Sequence, residues 1–284
     1  MIIVRLAGGL GNQMFQYATA RRLADHHGVE LVLDTSLTVE VDRPFELSCF
    51  GLTEQARPVW EVARVPHSSR VIRTLQHVKP SRRRFVAVVD DDTDANSFQP
   101  AVLTAPDHAY LRGWWQFEGY FSDHIASIRR AFTFPALGLK SARIAEKIDA
   151  ATAVSVHVRR GDYLSHSRFG FLDQQYYRRA VESVCRLVDD VEVFVFSDDT
   201  SWCRQQLTFP VPTHVVDREL PVGHDWEDMC LMSRCSHHVI ANSTFSWWAA
   251  WLNPSPTKLV VAPSRWVQDE KRVGDPVPES WMRV

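Results

Sequence analysis

Polar and basic residues follow an apolar segment in the second half of the chain, and these residue types can bind a phosphate group. The segment 153–158 is predicted to be a strand, with His157 on its polar face and Arg159 and Arg160 at its carboxyl end. A planar guanidinium group can contact phosphate through two parallel N–H groups. The alternative is a solvated arginine pair at a strand end, in an ion pair with Asp162.

The start of a helix predicted at 243–252 is a second candidate phosphate site. Asn242 or Ser243 is a strong N-cap residue, and Thr244 adds a further hydroxyl group. A helix N-terminus presents backbone N–H groups and the positive end of the helix dipole, which favour phosphate. The alternative is a cap without a ligand. The tryptophans of this helix are predicted to pack in the core: Trp247, Trp248 and Trp251.

Two carboxylates, Asp198 and Asp199, follow the strand predicted at 191–197. A carboxylate in this position can accept hydrogen bonds from a guanine edge or a ribose. The alternative is that Asp199 only caps the helix predicted at 200–207.

A glycine-rich turn containing Gly9 and Gly11 joins the first predicted strand to the first predicted helix, and Asp34 ends the next strand. This arrangement is typical of a dinucleotide-binding fingerprint, so an NAD-dependent oxidoreductase is one alternative function. The third glycine position holds Met14, which leaves the fingerprint incomplete. Asn12, at the helix start, is better suited to contact a sugar or a phosphate.

An aromatic segment that includes Trp114, Trp115 and Glu118 can offer stacking surfaces and a carboxylate to a sugar. Buried aromatic packing is the alternative. The chain has ten tryptophans, which raises a second alternative function, a glycan-binding protein without catalysis. That function gives no role to the arginine pair at 159–160.

Two groups of residues resemble metal sites. Cys230, Cys235 and the histidines at 237–238 have zinc-ligand types, but no second cysteine pair accompanies them, and we interpret them as core residues. Overlapping Asp-x-Asp pairs, as in manganese sites, occur at Asp90, Asp92 and Asp94. The basic residues just before them favour an exposed charged loop. We expect no metal and no cofactor.

The elements that position these residues alternate between strand and helix, most regularly in the second half. The predicted strands are 2–6, 30–34, 85–89, 109–111, 153–158, 191–197, 213–216, 237–241 and 258–261. The predicted helices are 12–27, 118–132, 173–188, 200–207, 224–234 and 243–252. This alternation predicts an α/β fold with parallel sheets covered on both faces. We expect two Rossmann-like domains facing a cleft, 1–138 and 139–284, joined by a linker near 135–140.

Composition narrows the function classes. With 45% hydrophobic and 23% charged residues, the chain of 284 residues can bury a core, which excludes intrinsic disorder. A net charge of −2 gives no electrostatic reason to expect nucleic acid or an anionic membrane surface as a partner. No run is apolar enough to span a bilayer, and the first strand starts at residue 2, so we expect no N-terminal anchor. Five scattered cysteines favour a reducing cytoplasm.

Taken together, the motifs resemble those of the bacterial-type inverting α-1,2-fucosyltransferases that use GDP-fucose. The matching stretches are residues 8–18, 157–163, 196–199 and 242–252. They run from near the first residue to position 252, so the resemblance covers essentially the whole chain, and the arginine and Ser-Thr-Phe-Ser-Trp-Trp motifs are the most specific. The resemblance implies a GT-B architecture of two Rossmann-like domains. It also implies transfer of fucose from GDP-β-L-fucose to the 2-hydroxyl of a terminal β-galactoside, with no metal.

The resemblance implies roles for the residues of the second half, which would hold the donor. Arg159 would grip the β-phosphate and stabilise the departing diphosphate, assisted by Arg160. His157 and Asp198 would contact the guanine or the ribose. Phosphate oxygens would be held at the helix start by Asn242, Ser243 and Thr244.

The first half would receive the acceptor. Asn12 would face the fucose, and Gly9 and Gly11 are further donor-binding candidates. The candidate general bases for the acceptor hydroxyl are Glu118 and Asp162, with Glu118 preferred because it belongs to the acceptor-side half. Residue 117 departs from the family pattern, since a phenylalanine stands where these enzymes commonly carry a small polar residue.

Overall fold

Two units make up the chain in a computed structural model, Met1–Thr133 and Phe134–Val284. The structure describes residues 1–36, 44–63, 87–90, 98–161, 170–217, 220, 223–267 and 275–284. The predicted domain boundary, between 138 and 139, lies five residues beyond this division (138 against 133).

The first unit is built on a parallel sheet of five strands, in the order β3-β2-β1-β5-β4. These strands are β1 (Ile2–Arg5), β2 (Leu31–Asp34), β3 (Ala56–Arg57), β4 (Ala87–Asp90) and β5 (Ala109–Arg112). Its α-helices in the described part of the chain are α1 (Leu10–His27) and α2 (Ile125–Ala131). Short 3-10 helices lie at Leu47–Phe50, Leu52–Gln55, Val59–Glu61, Pro100–Thr104 and Glu118–Tyr120.

The second unit is built on a parallel sheet of six strands, in the order β11-β10-β9-β6-β7-β8. The strands are β6 (Thr152–Val158), β7 (Val191–Ser197), β8 (Thr213–Val215), β9 (His237–Val239), β10 (Val260–Ala262) and β11 (Met282–Arg283). The helices among the residues that the structure describes are α3 (Leu139–Asp149), α4 (Gln174–Cys185), α5 (Thr200–Gln206), α6 (Trp226–Arg234) and α7 (Thr244–Leu252). Residues 153–158 of β6 are all buried, as expected for a central strand of a parallel sheet.

One predicted helix differs from the structure, and one helix of the structure was not predicted. The helix predicted over 118–132 is interrupted, because a 3-10 turn ends at Tyr120 and α2 starts only at Ile125. Between them, the Asp123 side chain binds Arg22 and contacts His124, which holds the chain in a turn. Helix α3 had no counterpart in the sequence-based assignment; its buried positions, Ser141, Ala145 and Ile148, form one narrow face.

The predicted core role of the tryptophans in α7 is confirmed. Trp247 and Trp248 are fully buried and Trp251 is 3% exposed. A helix buried almost all round requires this density of apolar side chains. Among the helices that the structure describes, none combines the length and hydrophobicity needed to cross a membrane.

Candidate active site

The candidate phosphate-binding residues of the second unit lie where three neighbouring strands end. Strand β6 pairs with β7 on one side and with β9 on the other. Because the chain runs from β6 to β7 and β8 and only later returns to β9, the sheet order reverses between β6 and β9. Ligands of open parallel sheets bind at the carboxyl ends of the strands beside such a reversal. Arg159 follows β6, Asp198 follows β7, and Ser243 follows β9 by four residues.

Arg159 is held at this edge by Asp198. Its Nη1 lies 3.1 Å from Asp198 Oδ2, and both side chains are about one quarter exposed. Asp198 also accepts two backbone hydrogen bonds, from Arg160 N at 2.9 Å and from Gly161 N at 3.1 Å. The resemblance implies that this carboxylate contacts guanine or ribose. In the structure, both of its oxygens accept hydrogen bonds from the turn after β6.

Arg160 has different partners from Arg159. Its Nε lies 3.2 Å from Asp199 Oδ2, and its guanidinium lies 4.0 Å from the centre of the Trp202 ring. Asp199 in turn accepts a hydrogen bond from Trp202 N at 3.0 Å, which caps α5 as the alternative interpretation predicted. Only 13% of the Arg160 side chain is exposed, so its contacts stabilise the turn after β6 from the protein interior.

His157 lies inside the same edge and is 6% exposed. Burial, with a further contribution from the positive charge of Arg159, lowers its pKa to about 3, so the ring is neutral at pH 7. Its buried Nδ1 has no hydrogen-bond partner among the residues that the structure describes. A neutral imidazole can serve there as a donor or an acceptor for a ligand.

The start of α7 supplies polar groups beside His157. Ser243 is the N-cap residue, and its Oγ accepts from Phe245 N at 3.4 Å. The Phe245 ring lies 5.7 Å from the His157 ring, which places the helix start next to the end of β6. Thr244 is half-buried. Asn242 has a structural role, since its Nδ2 donates to the carbonyl groups of Gly170 and Trp266 and joins two loops.

The first unit has its own sheet reversal, between β1 and β5. The first turn of α1 and the loop that follows β5 are joined by a hydrogen bond of 2.8 Å from Gln116 Nε2 to Asn12 Oδ1. Gly8, with φ of 74°, makes the sharp turn, and an added Cβ there would lie 2.5 Å from Asn12 Nδ2. Asn12 thus lies at the carboxyl end of β1, beside the sheet reversal.

The N-terminus of α1 already holds a carboxylate. Glu46 Oε2 accepts a hydrogen bond from Leu10 N at 2.7 Å, and Gln13 Oε1 accepts one from Glu46 N at 2.9 Å. A Cβ at Gly9 would lie 3.8 Å from Glu46 Oε1. A negative charge in this position disfavours a pyrophosphate beside Gly9, which precedes α1, and Gly11, which lies in its first turn. Sequence reasoning missed Glu46, which is separated from the loop by more than 30 residues and carries no motif.

Asp34 is likewise unsuited to a dinucleotide. It is fully buried and accepts hydrogen bonds from Ser36 N at 2.9 Å, Val59 N at 2.9 Å and Tyr110 Oη at 2.7 Å. A ribose-binding acid needs a carboxylate that a ligand can reach. The geometry of Asp34 and Glu46 therefore argues against the NAD-dependent oxidoreductase.

The aromatic segment separates into an exposed and a buried tryptophan. Trp114 is 46% exposed, whereas Trp115 is 1% exposed and packs edge-on against Tyr120, so the expectation of stacking on a sugar is wrong for Trp115. Trp115 has a left-handed φ of 51°, a strained conformation for a bulky residue. Glu118 is half-buried and near Arg129, and Asp162 lies outside the described residues.

The residues that resembled zinc ligands are core residues. Cys235 is fully buried and Cys230 is 7% exposed. Both ring nitrogens of His238 are engaged, Nδ1 with Ser155 Oγ and Nε2 with Asn253 Nδ2, each at 2.9 Å. Of the residues that resembled manganese ligands, Asp90 pairs with Arg112, and Asp92 and Asp94 lie outside the described part of the chain.

Comparison with known proteins gives relatives over the whole chain. An α-1,2-colitosyltransferase of Escherichia coli is 31% identical and covers 100% of this chain and 99% of that protein. The O-antigen biosynthesis glycosyltransferase WbnK, also of Escherichia coli, is 31% identical and covers 92% and 93%. The mouse galactoside 2-α-L-fucosyltransferase Sec1 is 26% identical and covers 90% and 66%.

Solved structures show the fold. Fucosyltransferase NodZ from Bradyrhizobium has a TM-score of 0.52 at 18% identity, over 89% of this chain and 93% of that one. A mutant of Arabidopsis thaliana FUT1 in complex with GDP has a TM-score of 0.51 at 11% identity, over 96% and 72%. The fold is that of two Rossmann-like domains of the GT-B type. The model of glycosyl transferase family 11 matches residues 87–282, more than half of the chain, so this protein is a glycosyltransferase that belongs to that family.

Proposed function

We propose that this protein is an inverting α-1,2-fucosyltransferase that uses GDP-β-L-fucose and needs no metal ion. Its acceptor is the 2-hydroxyl of a terminal β-galactoside. The observation that carries the proposal is the position of Arg159, held by Asp198 at the sheet reversal of the second unit. The names of the relatives, which include a galactoside 2-α-L-fucosyltransferase, support the acceptor and the linkage.

In the donor complex, the second unit binds GDP. Arg159 contacts the β-phosphate, and the backbone N–H groups at the start of α7, with the Ser243 and Thr244 hydroxyls, contact phosphate oxygens. His157, which is 6% exposed, contacts the guanine or the ribose through its neutral ring.

The chemical step breaks the bond between the anomeric carbon and the phosphate oxygen while the acceptor oxygen attacks from the opposite face, which inverts the configuration. Negative charge then develops on the diphosphate, and the proton of the acceptor hydroxyl is lost to a base. Fixed donors at the developing charge lower the barrier most, and removal of one typically costs about 10²–10³ in rate. Arg159 and the α7 N-terminus supply this stabilisation, which is the task that a metal ion performs in other transferases.

The acceptor binds to the first unit beside Asn12. The hydrogen bond between Gln116 and Asn12 fixes two amide groups there, and Trp114 adds an exposed aromatic face. Glu118 is the preferred general base and Asp162 the second candidate. Deprotonation by a carboxylate requires only that it reach the 2-hydroxyl directly or through one water molecule.

Colitose is a second candidate sugar, because one of the relatives identical at 31% is an α-1,2-colitosyltransferase. Colitose lacks the 3-hydroxyl of fucose, so a comparison of GDP-fucose with GDP-colitose tests the contribution of that one hydroxyl group. A site that binds that hydroxyl rejects the deoxy sugar strongly, because its polar partners are left unpaired.

The test is GDP release by the purified chain from GDP-fucose and from GDP-colitose, each with a panel of β-galactosides. We expect release from GDP-fucose that depends on the acceptor and is unchanged by EDTA. Faster release from GDP-colitose would replace the donor sugar in the proposal. Loss of activity in EDTA that is restored by Mn²⁺ would contradict metal independence and direct attention to Asp90–Asp94.

A further inference from the structure

We infer that Asp198 is a positioning residue for Arg159 and does not contact the guanine or the ribose of the donor. The inference rests on the proposed function, in which Arg159 binds the β-phosphate. Asp198 and Arg159 end neighbouring strands and form an ion pair of 3.1 Å between Oδ2 and Nη1.

Among the described residues, the hydrogen bonds and the ion pair of Asp198 go to three consecutive residues, Arg159, Arg160 and Gly161. Oδ1 accepts from Arg160 N at 2.9 Å, Oδ2 accepts from Gly161 N at 3.1 Å, and Oδ2 pairs with the guanidinium of Arg159. A carboxylate accepts about four hydrogen bonds, so most of its capacity is used by this turn. One side chain thereby fixes both the direction of the backbone after β6 and the direction of the Arg159 side chain.

Gly161 leaves the room that the carboxylate needs. A Cβ at residue 161 would lie 2.8 Å from Asp198 Oδ2 and 3.5 Å from its Cγ. Any other residue at 161 would push this carboxylate away from the turn. The atoms nearest to that Cβ belong to the Asp198 carboxyl group, which can move without disturbing the fold. The same movement would break the contact between Asp198 and Arg159.

Arg160 cannot take over the role of Arg159. It is bound to Asp199 and stacked on Trp202, and less of it is exposed than of Arg159, 13% against 28% of the side chain. Each aspartate thus holds one arginine: Asp199 holds Arg160 in the turn, and Asp198 directs Arg159 to the ligand.

The ion pair is compatible with phosphate binding. A guanidinium group has five N–H donors. When Nη1 contacts Asp198, N–H groups on the other nitrogens remain available for a bidentate contact to phosphate. Because the arginine side chain is ordered before the ligand arrives, binding does not have to order it. Asp198 therefore increases affinity for the β-phosphate without touching the donor.

The experiment is isothermal titration calorimetry of the full chain with GDP and with GMP, which differ by the β-phosphate. The variants are Asp198→Asn, Gly161→Ala, Arg159→Ala and the double variant of residues 159 and 198. We expect each single variant to lose GDP affinity by about tenfold or more, equivalent to about 1.4 kcal/mol. GMP affinity should stay within about twofold, which also shows that the variants are folded. The double variant should lose no more than Arg159→Ala alone.

Asp149→Asn is the matched control, because Asp149 pairs with Arg234 and lies before β6, at the opposite edge of the sheet. It should bind GDP and GMP as the wild type does. Equal losses of GDP and GMP affinity in Asp198→Asn would overturn the inference in favour of a nucleoside contact. Additive losses in the double variant would overturn it too. A wild type that binds GDP no better than GMP would overturn the phosphate role of Arg159 itself, and with it the proposed function.

Discussion

At the scale of single residues, Arg159 and Arg160 are adjacent in the sequence but have different partners. The Arg159 side chain projects from the edge of the sheet with Asp198, whereas Arg160 is enclosed by Asp199 and Trp202. In the proposed function, Arg159 and not Arg160 stabilises the charge on the leaving diphosphate.

Arg159→Lys should retain the fold and lower the transfer rate by about 10²–10³, because a lysine keeps the charge but cannot form the planar two-point contact. The measurement is kcat with saturating donor, together with Tm. Arg204→Lys, at a surface pair with Asp217, is the control and should keep normal turnover. Near-normal kcat in Arg159→Lys would show that Arg159 does not bind the phosphate.

Trp114→Ala should raise KM for the β-galactoside by about three- to tenfold, the range of one lost aromatic contact. KM for GDP-fucose should not change, since Trp114 belongs to the first unit. Trp114→Phe retains an aromatic face and should recover most of the acceptor affinity. An unchanged acceptor KM in Trp114→Ala would remove Trp114 from the acceptor site.

At the scale of elements, helix starts at the carboxyl ends of strands serve different purposes in the two units. The start of α1 is occupied by Glu46 of the same chain, whereas that of α7 has Ser243 as its cap and His157 nearby. Because Glu46 already accepts a hydrogen bond from the backbone at the start of α1, we assign the phosphate site to the start of α7.

Glu46→Ala should lower the free energy of unfolding by about 1 kcal/mol, the typical cost of losing a side-chain acceptor at a helix start. Urea denaturation followed by circular dichroism measures this quantity. Glu54→Ala, which removes an exposed glutamate from a 3-10 helix of the same unit, is the control. Equal losses in the two variants would mean that Glu46 does not stabilise α1.

Element type and order from β6 to β10 of the second unit could be predicted from sequence, because the apolar runs there are short and regularly separated by helical patterns; α3 and β11, at the two ends of the unit, were not predicted. The polar end of β6 and the cap at Ser243 were visible for the same reason. Three features were not visible: the interruption before α2, the capture of Asp198 by Gly161 and its neighbours, and the position of Glu46. Each depends on contacts between residues distant in sequence, which periodicity does not encode.

At the scale of the whole molecule, buried neutral histidines link stability to pH. Burial lowers the pKa of His157 and of His238 to about 3, with smaller contributions from nearby positive charges. Near pH 5 the unfolded chain binds these protons, since the ordinary value is about 6.5, and the folded chain does not. The free energy of unfolding therefore rises with pH between about 3 and 6.5 and loses this dependence above that range.

We expect the free energy of unfolding to fall between pH 7 and pH 5, by up to about 1.4 kcal/mol per pH unit for each of the two histidines. His238→Gln should lower stability at pH 7 and reduce this slope. The exposed His26→Gln variant controls for the loss of a histidine. Parallel pH profiles for His238→Gln and the wild type would contradict burial of a neutral imidazole at 238.

The central claim, transfer of fucose to the 2-hydroxyl of a β-galactoside with inversion, is tested most directly by nuclear magnetic resonance of the product. The full chain is incubated with GDP-β-L-fucose and a simple β-galactoside, and the isolated product is analysed for anomeric configuration and linkage. We expect an α-linked fucose on O2 of the galactose. A β-linked fucose, attachment to another hydroxyl, or free fucose without a fucosylated product would contradict it.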